Sequence, residues 1–313
     1  MNRDGLLSPG NSRTGGEASR GLPMEGNDQS AAHLEHDDKA GTVPADWYVT
    51  LLIKTLTRSV SSRQFRPASY YLPGRWKALY APLAKLFSLR GAELIVAKRT
   101  DPVSVTEGRE FPADAETMLG TERLDHLGRC AADVLVRGVP GDFLEAGVWR
   151  GGACIFLRAL LNVYGDRYRK VWLADSFRGL PKPDAGNFPA DRGMNLWRDP
   201  ALSVSVEEVK ANFERYGLLD DRVRFLPGFF KDTLPGPVAR LSILRLDGDM
   251  YESTIEVLTA LYPKLSDGGY LIIDDFSVFP ACRKAVADYR GEHQISTPIV
   301  RVGWNSAYWR KGE

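Results

Sequence analysis

From Asp142 onward the chain alternates short apolar runs with amphipathic stretches. Five apolar runs have the length and composition of β-strands: DFLEAGV, KVWLADSF, RVRFLPG, LSILRLDGD and GGYLIIDDF. The stretches between them include ACIFLRALLNVYG, SVEEVKANFERYG and STIEVLTALYPKL, which carry apolar residues at helical spacing. Because strands alternate with helices, the pattern predicts βαβ units and a mostly parallel sheet with helices on both faces.

The preceding part of the chain divides into two regions. Residues 1–45 are rich in Gly, Ser, Asp and Asn and nearly lack aromatic and β-branched residues, so we predict a disordered arm without chemistry. Residues 46–120 contain the candidate helices WYVTLLIKTLTRSV and RWKALYAPLAKLFSL and form a helical extension. The alternating α/β domain then takes residues 121–313.

Basic residues are concentrated in the helical extension. The segment from Lys54 to Arg99 contains ten Lys or Arg and a single acid, Glu93. Such a segment is either a patch for an acidic partner or membrane surface, or a solvated helix face balanced by acids elsewhere. We adopt the solvated face as the interpretation.

Composition excludes several classes of protein. Of the 313 residues, 43% are hydrophobic and 26% charged, and the net charge of +1 gives no indication of nucleic-acid binding. Three widely separated cysteines exclude a disulfide scaffold or a zinc module and suit a reducing compartment. The sequence shows neither a membrane-spanning run nor an apolar signal core, so we expect a cytoplasmic protein without a membrane partner.

The first candidate site lies where the first strand of the domain ends, in FLEAGVWRGGA. Glu145 and Gly147 close this strand, and Gly151 and Gly152 open a helix. A glycine-rich turn lets the backbone approach a ligand, and the helix N-terminus supplies free N–H groups. The spacing differs from the G-x-G-x-x-G that holds a dinucleotide pyrophosphate, and a tight βα connection would look similar.

A second polar position follows the next strand. Asp175 ends VWLAD, where an acid accepts both hydroxyls of a ribose in dinucleotide-binding folds. Asp175 and Ser176 would also suit helix capping. Because Asp175 occurs together with the glycine-rich turn, we favour ribose binding by Asp175.

Paired acids follow two later strands. Asp247 and Asp249 come after SILRL, and Asp274 and Asp275 come after YLII. One right-handed crossover separates these strands, so their carboxyl ends should lie side by side. Four clustered carboxylates repel one another, and a divalent cation that prefers oxygen ligands, such as Mg²⁺, would relieve the repulsion.

The stretches quoted above, together with ETMLGTERLDHL, NFERYGLLDDRVRFLPGFFKDTLP, PACRKAVADYR and AYWR, resemble the macrocin O-methyltransferase family. The resemblance implies a class I methyltransferase fold, with a Rossmann-like, mostly parallel sheet of seven strands whose last strand is antiparallel. It also implies an enzyme that uses S-adenosylmethionine and Mg²⁺ to methylate a sugar hydroxyl of an antibiotic-type natural product. The expected partner is a small glycosylated acceptor, and the expected assembly is a homo-oligomer, a dimer or larger.

The resemblance also implies roles for individual residues. Thr117 and Met118 would close over the cofactor, Glu145 and the turn through Gly147 and Gly151 would hold its amino-acid half, and Asp175 would bind the ribose. Ser176, Phe229 and Phe230 would lie near the adenine. Asp247, Asp274 and Asp275 would bind Mg²⁺, and Asp249 is the candidate general base, a role that Asp247 would also suit.

Two other enzyme classes remain open on the sequence. Asp247-Gly248-Asp249 matches the D-x-D of metal-dependent glycosyltransferases, although the second acid pair and the glycine-rich turn argue against that class. A catechol-type O-methyltransferase uses the same metal chemistry on phenols, and a cofactor-binding subunit without activity is the non-enzyme alternative. His126, His293 and Cys154 are given no chemical role. Trp304, Tyr308 and Trp309 are expected mainly in the core.

Overall fold

The computed structural model describes residues 45–61, 63–99 and 101–313. Apart from Ala45, the arm predicted for residues 1–45 therefore lies outside the described residues. The helices are α1 Ala45–Leu56, α2 Ala68–Tyr71, α3 Gly74–Ser88, α4 Pro102–Glu107, α5 Thr121–Val136, α6 Gly152–Val163, α7 Val206–Arg215, α8 Phe230–Thr233, α9 Tyr251–Leu261 and α10 Pro280–Glu292. The strands are β1 Arg63–Pro67, β2 Ile95–Arg99, β3 Asp142–Ala146, β4 Val171–Asp175, β5 Val223–Pro227, β6 Leu241–Leu246, β7 Leu265–Ile273, β8 Val300–Val302 and β9 Ser306–Arg310.

The larger sheet has seven strands in the order β5-β4-β3-β6-β7-β9-β8. Strands β3 to β7 are paired in parallel, and β9 is antiparallel to both β7 and β8. The five strands predicted from the apolar runs are confirmed, and so is the seven-stranded, mostly parallel architecture. A sheet of this order places its ligand crevice at the carboxyl ends beside β3, because the chain order reverses there.

Apolar residues alternate between the two faces of the sheet. Phe143 of β3 lies in a core that includes α5 and α6, whereas its neighbour Leu144 lies in the core under α9 and α10. The same alternation recurs at Ile243 and Leu244 of β6. Since side chains of a strand point to opposite faces in turn, both faces are covered, as the βαβ pattern predicts.

The helical extension contains an antiparallel β-hairpin that the sequence pattern did not predict. Its strands β1 and β2 pair from Arg63–Arg99 to Pro67–Ile95 and enclose α2 and α3 between them. No residue of α3 is buried, and its exposed side chains include the apolar Leu79 and Leu86 as well as basic residues, so this exposure suits a patch for a partner as well as a solvated face. None of the described helices combines the length and the apolar character that crossing a bilayer requires.

His126 is buried where α5 packs on the sheet, and this position makes the fold acid-sensitive. Its ring lies 4.4 Å from the ring of Tyr308, beside Cys130, Asp125 and Arg129 of its own helix. Burial, with the charge of Arg129, lowers the pKa of His126 to about 4. The unfolded chain takes up a proton near pH 6.5, so stability is lost as the pH falls from 6.5 towards 4. When the pH is lowered from 7 to 5, urea unfolding should show a change in the free energy of unfolding that is less favourable by up to about 2 kcal/mol in the unmodified protein than in His126→Gln.

His293 provides the matched control for this pH effect. Its ring is exposed and stacks on Tyr289 at 4.0 Å. His293→Gln should keep the acid sensitivity of the unmodified protein. If the free energy of unfolding depends on pH equally in the unmodified protein and in His126→Gln, the pH effect does not come from His126.

Candidate active site

One cavity of about 400 Å³ opens at the carboxyl ends of the central strands. Every residue predicted from the sequence for the cofactor, the metal or the base lines it, except Gly151. Gly151 instead packs against α7, because a Cβ at its positive φ of 83° would lie 2.8 Å from Val209 Cγ1. The residues predicted for the cofactor, the metal and the base therefore lie around one cavity, and Gly151 belongs to the turn between β3 and α6 beside it.

The turn between β3 and α6 requires glycine where it meets β6. Gly147 has a φ of 86°, and a Cβ there would lie 1.8 Å from the carbonyl oxygen of Asp247. Gly152 is confined from the opposite side, because its Cβ would lie 2.5 Å from the carbonyl oxygen of Glu116. Glycine at these two positions therefore lets the turn pack against the neighbouring backbone, and both residues line the cavity.

Glu145 closes β3 as a buried acid with both carboxyl oxygens in use. One oxygen pairs with the guanidinium of Arg245, its register partner on β6, and the other accepts from Cys154 Sγ at 2.9 Å. The side chain is 2% exposed, and burial raises the pKa of Glu145 to about 7. Glu145 forms part of the cavity wall and stabilises the turn, while Cys154 is a buried donor to it.

Asp175 connects the ends of β3 and β4. Its Oδ2 accepts from the backbone N–H of Val148 at 2.8 Å, and its Oδ1 accepts from that of Phe177 at 2.7 Å. Burial raises the pKa of Asp175, against the effect of these backbone donors. Asp175 also lines the cavity, so the same carboxylate that stabilises the turn is available to a ligand that brings hydroxyl donors.

Ser176 and the aromatic pair lie at the neighbouring part of the cavity. The hydroxyl of Ser176 donates to the carbonyl of Gly179 at 2.6 Å. The N–H of Gly228 donates to the carbonyl of Asp175 at 2.9 Å and so brings the segment after β5 alongside. Phe229 follows and is 37% exposed, which leaves its ring accessible for stacking.

Residues 115–120, here named the strap, lie across the glycine turn. The carbonyl of Glu116 accepts from Gly152 N–H at 3.0 Å, and Thr117 Oγ1 accepts from Leu119 N–H at 3.0 Å. At the other end of the strap the carbonyl of Met118 accepts from Arg123 Nη2 at 2.9 Å. The strap therefore contacts both the turn and the acidic part of the cavity.

The acidic part is formed by the residues that follow β6 and β7. Leu246 and Ile273 are register partners in the parallel pair, so Asp247 and Asp274 follow side by side. Carboxyl oxygens of Asp247, Asp249 and Asp275 lie within 4.8 Å of one another. The predicted convergence of the two acid pairs is thus present in the structure.

Asp274 lies beside this cluster and is paired with arginines. Its Oδ2 contacts Arg123 Nη1 at 2.5 Å, and its Oδ1 contacts Arg245 Nη2 at 2.9 Å and accepts from Ser306 Oγ at 2.8 Å. Although burial alone would raise it, the two guanidiniums hold the pKa of Asp274 well below its ordinary value. Asp274 is therefore an ionised carboxylate.

The three clustered carboxyls have the opposite tendency. Burial raises the pKa of Asp247, and Arg245 offsets this in part. Burial and the negative charges of Asp247 and Asp274 raise the pKa of Asp249 to about 8. Burial and the other three carboxylates raise the pKa of Asp275 well above its usual range. Mutual repulsion of this kind is relieved by a cation.

The donor set fits a hard divalent cation. Five carboxyls and two guanidiniums lie in this region, which leaves an excess of three negative charges when all are ionised. The carboxyls are those of Glu145, Asp247, Asp249, Asp274 and Asp275, and the guanidiniums are those of Arg123 and Arg245. All potential ligands are oxygens, which Mg²⁺, Mn²⁺ and Ca²⁺ prefer and zinc does not. Mg²⁺ or a similar ion therefore suits these residues.

Sequence reasoning missed both arginines and misplaced one tryptophan. Arg245 is 1% exposed within an otherwise apolar strand, and a lone cation in such a run was the available signal. Trp304, expected in the core, instead lines the cavity, with the Arg109 guanidinium 4.6 Å from its ring centroid and its Nε1 donating to the Glu107 carbonyl at 2.8 Å. The interpretation of Trp304 was wrong because it lies in the turn between β8 and β9, whereas that of Trp309 is confirmed.

Comparisons with known proteins agree on one family. A model of the family described as macrocin O-methyltransferase matches residues 45–311. One relative is 8-demethyl-8-(2,3-dimethoxy-alpha-L-rhamnosyl)-tetracenomycin-C 4'-O-methyltransferase from Streptomyces olivaceus. It is 55% identical over 205 residues, which are 65% of this chain and 78% of that one. Mycinamicin III 3''-O-methyltransferase from Micromonospora griseorubida is 48% identical over 251 residues, 76% of this chain and 98% of that one.

A solved structure shows the same fold. The O-methyltransferase NovP superposes with a TM-score of 0.74 at 40% identity, over 86% of this chain and 100% of that chain. The similarity extends over the sheet and the helical extension, since it covers more of the chain than the α/β domain alone.

Proposed function

The chain belongs to the macrocin O-methyltransferase family, and on that premise we propose that it methylates a sugar hydroxyl of a glycosylated natural product in a Mg²⁺-dependent reaction. As an enzyme it is an S-adenosylmethionine-dependent O-methyltransferase. The observation that carries the metal-dependent part is the carboxylate cluster at the ends of β6 and β7, beside the glycine turn of one cavity. A D-x-D glycosyltransferase has no support from the family match.

The cofactor side of the cavity is the wall formed by the turn, Asp175 and the strap. We propose that the backbone at Gly147 receives the amino-acid half, that the carboxylate of Asp175 accepts the ribose hydroxyls, and that Phe229 packs on the adenine. Thr117 and Met118 of the strap would cover the ligand. Bound S-adenosylmethionine supplies a methyl group that is already activated as a sulfonium.

On the metal side we propose Asp247, Asp274 and Asp275 as ligands of Mg²⁺. The ionised state of Asp274 supports this set, because a cation binds the charged carboxylate, and Oδ2 of Asp274 keeps a free lone pair. When bound, the metal would lower the pKa of an acceptor hydroxyl and orient its oxygen.

Asp249 is the proposed general base. It has a left-handed backbone conformation, with φ of 55°, and among the described residues its carboxyl accepts no hydrogen bond. A cation bound beside Asp249 would favour its charged form. As a carboxylate without a fixed donor, it would then take the proton of the acceptor hydroxyl as the oxygen–methyl bond forms and the methyl–sulfur bond breaks. Proximity of the reacting groups provides the remainder of the acceleration.

The acceptor side is the apolar and acidic remainder of the cavity. Phe279, Trp304 and Leu196 line it together with Glu252 and Glu256 of α9. Apolar walls with a few carboxylates suit a sugar attached to an apolar body, since the hydroxyls bind the acids and the body packs on the rings. The names of the related tetracenomycin and mycinamicin enzymes support an acceptor of this class.

We expect titration calorimetry to show micromolar binding of S-adenosylhomocysteine to the purified chain. Methyl transfer from labelled S-adenosylmethionine to at least one glycosylated macrolide, aminocoumarin or tetracenomycin-type acceptor should follow. Treatment with EDTA should abolish turnover, and Mg²⁺ should restore it, because the carboxylate cluster lacks its counter-ion after chelation.

Two outcomes would overturn parts of this proposal. Folded protein that fails to bind S-adenosylhomocysteine, with or without Mg²⁺, would refute the cofactor assignment. Transfer to catechols but to no glycosylated acceptor would refute the sugar assignment and favour a phenol-type enzyme.

A further inference from the structure

The segment between β4 and α7 contains a buried acid with no role in the site described so far. Residues 182–202, here named the acceptor loop, contribute Leu196 and Leu202 to the lining of the cavity. Asp191 in this loop is 0% exposed. A carboxylate buried to this degree requires donors that hold it.

The donors of Asp191 belong to the first turn of α9. Its Oδ1 accepts from the backbone N–H of Tyr251 at 2.6 Å, and its Oδ2 accepts from that of Glu252 at 3.0 Å. No side-chain cap comes from Met250, which directly precedes the helix. Asp191 therefore caps α9 from a distant part of the chain, where the free N–H groups and the helix dipole favour a negative charge.

The capped first turn of α9 directly follows the segment that carries Asp247 and Asp249. Asp249 lies two residues before Tyr251, has a positive φ of 55° and lines the cavity. The bidentate contact of Asp191 thus fixes two elements relative to each other: the acceptor loop and the turn from Asp247 to Met250.

Other contacts hold the loop at its ends. Ser176 Oγ donates to the carbonyl of Gly179 at 2.6 Å before the loop, and Trp149 Nε1 donates to the carbonyl of Ala201 at 2.8 Å near its end. Asp191 lies between these two anchors and holds the middle of the segment. The ring of Phe188 also lies 6.0 Å from that of Tyr251.

We propose that Asp191 is a positioning residue that latches the acceptor loop to the first turn of α9 and so sets the place of the Asp247–Asp249 turn. The inference rests on the proposed function, which assigns metal binding to Asp247 and proton transfer to Asp249 in that turn. The latch itself is a property of the fold and is measurable without any acceptor.

The test compares Asp191→Ala and Asp191→Asn with the unmodified protein and with Asp199→Ala. Asp199 lies in the same loop and caps a local turn through the N–H of Ala201 at 2.9 Å, so it is the matched control. Limited trypsin digestion of the ligand-free full chain, followed by mass spectrometry, measures cleavage after the exposed Arg198 in the Asp191 variants and after the exposed Arg192 in Asp199→Ala, so that no substitution adjoins the bond that reports on it. We expect cleavage to be at least about tenfold faster in Asp191→Ala, because tenfold corresponds to about 1.4 kcal/mol of loop-opening free energy.

The cleavage rate of Asp191→Asn should fall between those of Asp191→Ala and the unmodified protein, since its single carboxamide oxygen accepts a hydrogen bond from one of the two N–H groups. Asp199→Ala should stay within about threefold of the unmodified rate. Cleavage rates that are equal in Asp191→Ala and the unmodified protein would overturn the latch.

Calorimetry separates positioning from general loss of structure. Asp191→Ala should weaken Mg²⁺ binding several-fold, because Asp247 belongs to the turn that is displaced. The affinity for S-adenosylhomocysteine should stay within about threefold. Unchanged Mg²⁺ affinity with a loosened loop would overturn the positioning role, and loss of both ligands would reduce Asp191 to a structural residue. If the unmodified protein binds neither ligand, the proposed function fails, whereas the digestion still decides the latch.

Discussion

Asp249→Asn is expected to lower kcat by about 10²–10⁴-fold, the range over which a positioned general base contributes. The carboxamide occupies nearly the same volume but takes up no proton, and the Asp249 carboxyl accepts no hydrogen bond from the described residues that the change would break. The affinities for S-adenosylhomocysteine and for Mg²⁺ should therefore stay within about threefold. Labelled methyl transfer gives kcat, and calorimetry gives the two affinities.

Asp274→Asn serves as the comparison, because it separates the base from the metal ligands. Loss of its charge should weaken Mg²⁺ binding strongly while cofactor affinity stays within about tenfold. The distances group Asp249, and not Asp274, with Asp247 and Asp275. If Asp249→Asn loses Mg²⁺ affinity and Asp274→Asn keeps it, the ligand set is the one that the distances indicate, and the base lies elsewhere.

The position of the acidic cluster was predictable because parallel strands end at one edge of a sheet. SILRL and YLII are too apolar to end by chance in two pairs of acids, so the site at β6 and β7 followed from the pattern alone. The state of each carboxyl did not follow. Whether an acid is ionised depends on the arginines that the fold places beside it, and Arg123 comes from another helix.

Contacts between distant segments account for the other omissions. Asp191 lies in a loop without periodicity, and nothing local shows that its carboxylate caps a helix 60 residues later. The hairpin of β1 and β2 was missed because its strands are short, rich in charge and separated by two helices. Apolar periodicity reports burial against a core and contains no information on such pairings.

Arg245→Met is expected to destabilise the fold by about 3–5 kcal/mol, the usual result of removing one partner of a buried ionic group. The guanidinium is 1% exposed and contacts three carboxylates: Glu145 on β3, Asp247 at 2.9 Å and Asp274 at 2.9 Å. Without it these acids face one another in a region of low water access, so each must be protonated or repel the others. Urea unfolding of the ligand-free protein at neutral pH measures the loss.

Arg158→Met is the matched control for burial and volume. Arg158 is 3% exposed, but its partner Asp220 is 38% exposed and also contacts Arg222 at 3.7 Å, so the acid left behind remains solvated and paired. We expect less than half the loss seen for Arg245→Met, with Arg245→Lys in between, because an ammonium keeps the charge and not the fork geometry. Added Mg²⁺ should raise the free energy of unfolding more in Arg245→Met than in the unmodified protein, since its binding then offsets a larger excess of negative charge. Equal costs for the two arginines, or a Mg²⁺ effect that does not differ between the variant and the unmodified protein, would show that the carboxylates are not held in charge balance by Arg245.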